Sequence, residues 1–147
     1  MKTAFDTNGI LFRLLHGNTS ANGGVYVEDD RPDNSEKEDI VVNSIDLGQD
    51  SLPQIGTSNI NVYVPDIEVK IGGKMQLQAN RQRLKDITNE VLDLVRQSRI
   101  EGLKIVVMNH TLMNEPNMKQ HFSNIRVDWN IQKDSEYVTH YTWIVRN

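Results

Sequence analysis

Residues 81–102, RQRLKDITNEVLDLVRQSRIEG, carry the strongest secondary-structure signal in the chain. Apolar residues recur there at intervals of three and four, namely Leu84, Ile87, Val91, Leu94 and Val95. Because this spacing places the apolar side chains on one helix face, it predicts a long amphipathic helix over about residues 80–99. Asn80 can cap its start, and Gly102 lies just beyond its end. The apolar face of such a helix needs a flat apolar partner, which flanking strands can supply.

Segments on both sides of this helix have the β-branched composition of strands. The predicted strands before the helix are VYV (25–27), DIVVNSI (39–45) and NINVYVPDIEV (59–69). Those after it are LKIVVMNHTLM (103–113), residues 122–131 and EYVTHYTWIV (136–145). We expect the first two strands to form a hairpin with a long loop, and the last two to close the chain as a second hairpin. The nearly continuous apolar character of 103–113 predicts a strand that is buried on both faces.

Three local signals refine this arrangement. Residues 6–15 predict a short N-terminal helix, capped by Asp6 or Thr7, with Gly17 positioned to stop it. Pro65 lacks an N–H group, which predicts that its strand lies at a sheet edge or bulges where the pairing changes. Residues 71–74, IGGK, predict a turn.

The order of these elements predicts an α+β fold. Strands in runs, separated by a single long helix, are typical of a mainly antiparallel sheet with the helix packed on one face. We therefore expect residues 1–147 to form a single α+β domain. Acidic and Gly/Pro/Ser-rich composition predicts mobile loops near residues 28–38 and 48–58.

Composition narrows the class of protein. The 147-residue chain has no cysteine, which excludes disulfides and thiolate metal sites and is ordinary for a reducing compartment. The N-terminal apolar stretch is too short and interrupted for a signal peptide, and no segment approaches the roughly 20 apolar residues that span a bilayer. The sequence thus favours a soluble intracellular protein without a membrane partner.

Charge is distributed unevenly along the chain. Residues 1–73 contain 12 Asp or Glu and 5 Lys or Arg, whereas residues 74–147 contain 8 and 11. The acidic balance disfavours broad nucleic-acid binding, which needs a basic surface. If these halves form separate surfaces, one acidic and one basic, copies of the chain could meet each other.

The most acidic segment is VYVEDDRPDNSEKEDIVVNS, residues 25–44. Its seven carboxylates belong to Glu28, Asp29, Asp30, Asp33, Glu36, Glu38 and Asp39. Ligand positions counted from Asp29 fall on Arg31 and Asp33, and the glycine that a calcium loop needs at its sharp turn is missing. A solvated loop between strands is therefore favoured, with a hard-cation site as the open alternative.

No motif for catalysis or cofactor binding emerges from the rest of the chain. The four histidines lack zinc-ligand spacing, and IGGKM lacks the first glycine and the hydroxyl of a phosphate loop. Trp129, Tyr141 and Trp143 could stack nucleic-acid bases, but their strand alternation favours packing in a core or interface. We predict no catalytic residue, no metal ligand and no cofactor.

Three segments together resemble a family of small proteins encoded by phages and integrated elements of Bacteroides-like bacteria. The matching residues are Val25, Tyr26, Arg31, Pro32, Ser35, Glu38–Ser44, Asn61–Ile67 and Asn124–Val127. The resemblance covers residues 25 to about 131, and its motifs describe no reaction.

The predicted layout is also similar to that of phage tail-terminator and tail-completion proteins, which assemble as rings, usually hexameric, that cap the tail tube and join it to the head. This resemblance implies a structural virion-assembly protein that forms a homo-oligomeric ring and binds tail-tube or neck proteins, in the bacterial cytoplasm during assembly and in the virion if incorporated. The assembly surface would then include Glu28, Asp29, Asp30, Arg31, Asp33 and Glu36. Two alternatives stay open: a metal-dependent hydrolase that uses the acidic loop, and a peptide-binding module that adds a strand to the sheet edge near Pro65.

Overall fold

A five-stranded sheet with two helices on one face forms the core of the structure, a computed structural model that describes residues 1–133. The helices are α1 (Ala4–Leu15) and α2 (Arg81–Gln97). The strands are β1 (Val25–Val27), β2 (Asp39–Leu47), β3 (Gln54–Pro65), β4 (Ile67–Ile71), β5 (Lys74–Gln78), β6 (Leu103–Glu115) and β7 (Gln120–Ile131). The main sheet has the order β1-β2-β3-β7-β6, and β4 pairs with β5 separately. The predicted α+β fold with a mainly antiparallel sheet is confirmed.

Helix α2 confirms the strongest sequence signal. The Asn80 side chain accepts a hydrogen bond from the backbone N–H of Arg83 at 3.3 Å, which satisfies one free donor of the first turn. The apolar face of α2 is buried and packs over β3, β6 and β7. The core cluster beneath it includes Ile60, Val62, Ile125, Val127 and Trp129. The Trp129 indole N–H donates to Ser58 Oγ at 2.9 Å, so this tryptophan belongs to the core as predicted.

Helix α1 begins earlier than the sequence suggested. Thr3 is its N-cap residue, and Asp6 accepts a hydrogen bond from the Thr3 backbone N–H at 2.8 Å through Oδ2. The prediction of Asp6 or Thr7 as the cap is therefore wrong, because Asp6 closes a capping box from the third helical position. Ile10, Leu11 and other α1 side chains join the same core as α2.

Strands β1 and β2 are parallel, so the predicted hairpin between them is wrong. Val25 pairs with Ile40 and Val27 with Val42, which requires the chain to return to the starting end of β1 before β2 begins. Residues 28–38 make this return, starting with a 3₁₀ turn at Glu28–Asp30. β-Branched composition predicted both strands but not their relative direction. The two strands are parallel because the acidic connection, residues 28–38, leads the chain back to the end of the sheet where β1 starts.

Strand β3 is the middle strand of the main sheet. Of the two alternatives predicted from Pro65, an edge strand or a bulge where the pairing changes, the edge position is wrong, because β3 pairs with β2 on one side and β7 on the other. Pro65 is its last residue, where the chain leaves the main sheet for the β4–β5 hairpin. The loop predicted at 48–58 ends at residue 53, since residues 54–58 pair with β7 and residues 56–58 also pair with β2.

The IGGK turn is confirmed as the tip of the β4–β5 hairpin. Gly72 and Gly73 have φ angles of +57° and +82°, the left-handed values that a two-residue hairpin turn needs. Strand β5 was not predicted, because its polar sequence KMQLQ lacks β-branched residues.

Strand β6 is the edge strand of the main sheet within residues 1–133, which contradicts the predicted burial on both faces. Ile105 is buried beneath α2, but Val106, Met108, Leu112 and Met113 are 39–51% exposed. Apolar composition identified the strand and could not show which elements would cover it. The predicted strand at 136–145 and its hairpin lie outside the described residues.

Two glycine substitutions should have opposite effects on stability. A Cβ at Gly56 would lie 2.5 Å from the Asp46 carbonyl oxygen and 3.0 Å from Leu47 Cα, both backbone atoms of the paired strand. We expect Gly56→Ala to lower the free energy of unfolding by roughly 1–3 kcal/mol. Gly9 lies inside α1, where a Cβ would have no atom within 4 Å, so Gly9→Ala should raise stability by roughly 0.5–1 kcal/mol. Urea unfolding followed by circular dichroism measures both, and equal effects would contradict this reasoning.

Candidate assembly surface

A buried carboxylate holds the acidic connection to the sheet. The Asp39 side chain is 1% exposed, and its Oδ2 accepts hydrogen bonds from Arg31 Nε at 2.8 Å and Ser35 Oγ at 2.5 Å. Its Oδ1 accepts from the backbone N–H of Gly24 at 3.0 Å. The bonds from Arg31 and Ser35 fold residues 31–39 back on Asp39, and the bond from Gly24 ties this fold to the chain that enters β1.

A second ion pair joins the connection to α2. Arg83 donates from Nε to Glu38 Oε2 at 2.8 Å and from its terminal nitrogen to Oε1 at 2.7 Å, a bidentate arrangement. These hydrogen bonds lower the pKa of the Glu38 carboxyl below its ordinary value of 4.5, against the opposing effect of burial. The backbone N–H of Asn22 adds a further donor at 3.1 Å.

Arg31 faces inward, whereas the sequence placed it on the assembly surface. Its side chain is 12% exposed, and its guanidinium carbon lies 4.2 Å from the centre of the Tyr63 ring. The Tyr63 ring also stacks on Phe122 with 4.8 Å between centroids. Burial raises the pKa of the Tyr63 hydroxyl, while the Arg31 charge acts in the opposite direction. Arg31 therefore anchors the connection on the face of β3.

The seven carboxylates predicted as one cluster divide into two groups. Glu38 and Asp39 are buried in ion pairs, where they stabilise the fold. The exposed group, called the acidic surface below, consists of Glu28, Asp29, Asp30, Asp33 and Glu36. Residue type could not separate the two groups. The signal available in the sequence was position, because Glu38 and Asp39 directly precede the buried strand residue Ile40.

A groove of about 560 Å³ borders the acidic surface. This acidic groove is lined by residues of α1, by the end of β1 and by the chain that follows it, namely Phe5, Asn8, Gly9, Phe12, Arg13, Val27, Glu28, Asp29 and Asp30. Its three carboxylates outnumber its one cationic side chain, that of Arg13, so the groove is acidic. Phe5 is 88% exposed, the largest exposed fraction among the exposed large apolar residues of the described chain. Asn8 is 3% exposed and donates from Nδ2 to Glu28 Oε2 at 2.7 Å, while its buried Oδ1 has no hydrogen-bond partner within residues 1–133. Sequence reasoning missed Phe5 and Asn8, because both fit an ordinary helix.

A second groove, of about 650 Å³, lies where α2 ends and β6 begins. This basic groove has an apolar floor that includes Val95, Leu103 and Ile105, and its rim carries the exposed side chains of Arg96, Arg99 and Lys104. Glu101 is also on this rim, and its carboxylate pairs with Lys133 Nζ at 3.0 Å. Three cationic side chains and one carboxylate lie on this rim, so the groove is basic.

The two grooves adjoin opposite edges of the main sheet. Val27 lines the acidic groove and belongs to β1, the strand at one edge. Leu103 and Ile105 line the basic groove and belong to β6, the strand at the other edge within residues 1–133. The width of the sheet therefore separates the acidic groove from the basic groove.

Two other polar clusters involve histidines. His110 Nε2 lies 3.0 Å from Ser123 Oγ, which accepts a hydrogen bond from Thr88 Oγ1 at 2.8 Å. Ser123 is 2% exposed and lies with His110 and Thr88 on the wall of a groove of about 270 Å³, whose lining contains no carboxylate. His121 pairs with Asp66 at 2.6 Å, apart from His110. Within residues 1–133, no three His, Cys, Asp or Glu side chains are placed to hold a metal ion.

The Glu38–Arg83 pair predicts a pH-dependent contribution to stability. Because the pKa of Glu38 is lowered on folding, its contribution is complete above the ordinary carboxyl pKa and is lost as pH falls through the folded value. In Arg83→Gln this contribution is absent, so the stability difference from the unmodified protein should be largest near neutral pH and shrink below pH 4.5. Thermal unfolding from pH 7 to pH 3 measures this difference. A constant difference across that range would contradict the assignment.

Comparisons with known proteins leave the surface as the main guide to function. No protein-family model and no curated protein matches this chain. Neither helix of the described residues has the combined length and apolar character of a membrane-spanning helix. The main surface features of the described residues are two separate grooves that carry opposite charges.

Proposed function

We propose that this chain is a structural virion-assembly protein of a phage or integrated element, a ring-forming tail terminator or head–tail joining component. The observation that carries the proposal is the placement of an acidic and a basic groove at opposite edges of the main sheet. Contacts between two different surfaces of identical chains are heterologous, and they build a ring when the rotation between neighbours closes.

The resemblance of residues 25–131 to phage-encoded proteins supports the same class of function. Several matching residues have structural roles: Arg31 and Ser35 donate to Asp39, and Glu38 binds Arg83. A family with this motif would share the anchored acidic connection. In this proposal the protein acts in the bacterial cytoplasm during assembly, enters the virion, and binds tail-tube or neck proteins through one face of its ring.

Peptide binding by strand addition is the second candidate, and the exposed edge of β6 favours it. Within residues 1–133, β6 has a neighbour on one side only, and four of its large apolar side chains are exposed. Because β3 is a central strand, a peptide could not pair with it near Pro65. The edge strands of the main sheet within residues 1–133 are β1, with 3 residues, and β6, with 13, so β6 offers the longer edge for a peptide.

A metal-dependent hydrolase that uses the acidic segment stays the remaining alternative. Glu38 and Asp39 are already paired with arginines, so only the exposed carboxylates could bind a cation. Calorimetry with Mg²⁺, Ca²⁺ and Mn²⁺ tests it directly.

Two measurements on the purified protein test the proposal. Light scattering over a dilution series should give a single closed oligomer at low ionic strength, and co-sedimentation should show it on assembled tail-tube protein from the same element. A protein that is monomeric at every concentration and binds no tail tube would overturn the proposal. A protein that captures only short extended peptides, which compete with one another for β6, would favour strand addition.

A further inference from the structure

We propose that the acidic groove of one copy docks on the basic groove of the next copy, with Phe5 as the apolar anchor of the contact. This inference rests on the proposed ring and specifies its interface. It commits to a second copy of this chain because the two grooves are complementary in charge and both contain apolar surface.

Phe5 supplies the apolar part of the contact. Phe5 belongs to the first turn of α1, and Ile10 and Leu11 of the same helix pack in the hydrophobic core. The helix therefore holds the phenyl group of Phe5 in a fixed place at the surface. Aromatic side chains on rigid elements are the usual anchors of protein interfaces. The basic groove offers a matching apolar floor, which includes Leu103 and Ile105, and its volume exceeds that of one aromatic ring.

Charge and hydrogen bonding supply the polar part. Asp29 and Asp30 lie on the same groove as Phe5, and neither forms an ion pair within residues 1–133. Arg96 and Arg99 on the rim of the basic groove of the next copy can form ion pairs with these two carboxylates.

The positions of the grooves exclude a two-fold dimer through this contact. A two-fold dimer would pair the acidic groove of each copy with the basic groove of the other at the same time, so both grooves would have to lie on one contact surface. The grooves adjoin opposite edges of the main sheet, so one neighbour cannot cover both. A head-to-tail contact instead leaves one free acidic groove and one free basic groove on every pair. Further copies therefore add in the same sense until the ring closes.

The test uses two variants that each keep one intact groove. Phe5→Ser damages the acidic groove, and Arg96→Glu with Arg99→Glu damages the basic groove, all at exposed positions. Each variant alone should associate at least about tenfold more weakly than the unmodified protein. A mixture of the two should form a one-to-one heterodimer and no ring, because only one pair of intact grooves is then available.

Circular dichroism must first show that each variant folds, and Arg96→Gln with Arg99→Gln replaces the double reversal if it does not. Rings that persist in both variants would overturn the docking inference and leave the proposed function standing. An unmodified protein that never forms an oligomer would overturn both. A ring that is lost in each variant without heterodimer formation on mixing would also overturn this pairing of grooves.

Discussion

Asp39→Ala is expected to lower the free energy of unfolding by about 3–5 kcal/mol, the largest effect on stability that we predict for a single charged residue. The substitution removes the acceptor for Arg31 Nε, Ser35 Oγ and the Gly24 N–H together. Arg31 would remain 12% exposed beside Tyr63 with an unpaired charge, which is costly in a site that excludes water. Urea unfolding at high salt, where rings dissociate, measures the effect on the monomer.

Asp33→Ala is the matched control for this experiment. Asp33 belongs to the same acidic connection but is exposed, so its loss should change stability by no more than about 0.5 kcal/mol. Asp39→Asn should fall between the two variants, because it keeps an acceptor for Gly24 and loses the charge that Arg31 needs. Similar stabilities for Asp39→Ala and Asp33→Ala would mean that the connection does not depend on its buried carboxylate.

Reversal of Asp29 and Asp30 to lysine is expected to weaken self-association by about a hundredfold, equivalent to roughly 2.7 kcal/mol, with little effect on the folded monomer. Both side chains are exposed beside Phe5, and their reversal would place lysines against the cations of the basic groove. Sedimentation velocity at a series of concentrations measures the change. Raising the salt concentration should weaken the unmodified ring in the same direction, because it screens exposed charges.

The control for net charge is the reversal of two other exposed acids, Asp50 and Glu68. It changes the charge of the chain by the same amount at positions away from the acidic groove, and we expect the ring to survive. Adding Arg96→Glu and Arg99→Glu to the Asp29→Lys, Asp30→Lys chain should restore association, since the two grooves are again opposite in charge. Equal losses from both pairs of reversals would show that total charge, rather than these grooves, controls assembly.

The parts of the fold that could be predicted from sequence depend on local patterns. The apolar spacing of α2, its Asn80 cap and the Gly72-Gly73 turn each involve residues that are close in sequence. These features are decided by backbone geometry and by which side chains share a face. The α+β class followed from their order along the chain.

The parts that could not be predicted depend on which elements become neighbours. Strand composition is the same for a parallel and an antiparallel pair, so the direction of β1 relative to β2 stayed hidden. The apolar run of β6 gave no information on whether a second layer would cover it. Glu38 and Asp39 are of the same residue types as their exposed neighbours, and in sequence only their position next to Ile40 separates them. The ion pairs with Arg83 and Arg31 that hold them depend on tertiary structure.

Electron microscopy of the purified protein at low ionic strength tests the central claim most directly. We predict closed rings in which residues 28–30 and Phe5 of each copy contact the α2–β6 corner of the next copy. Monomers at all concentrations, two-fold dimers, or rings whose neighbours meet through other surfaces would contradict this account.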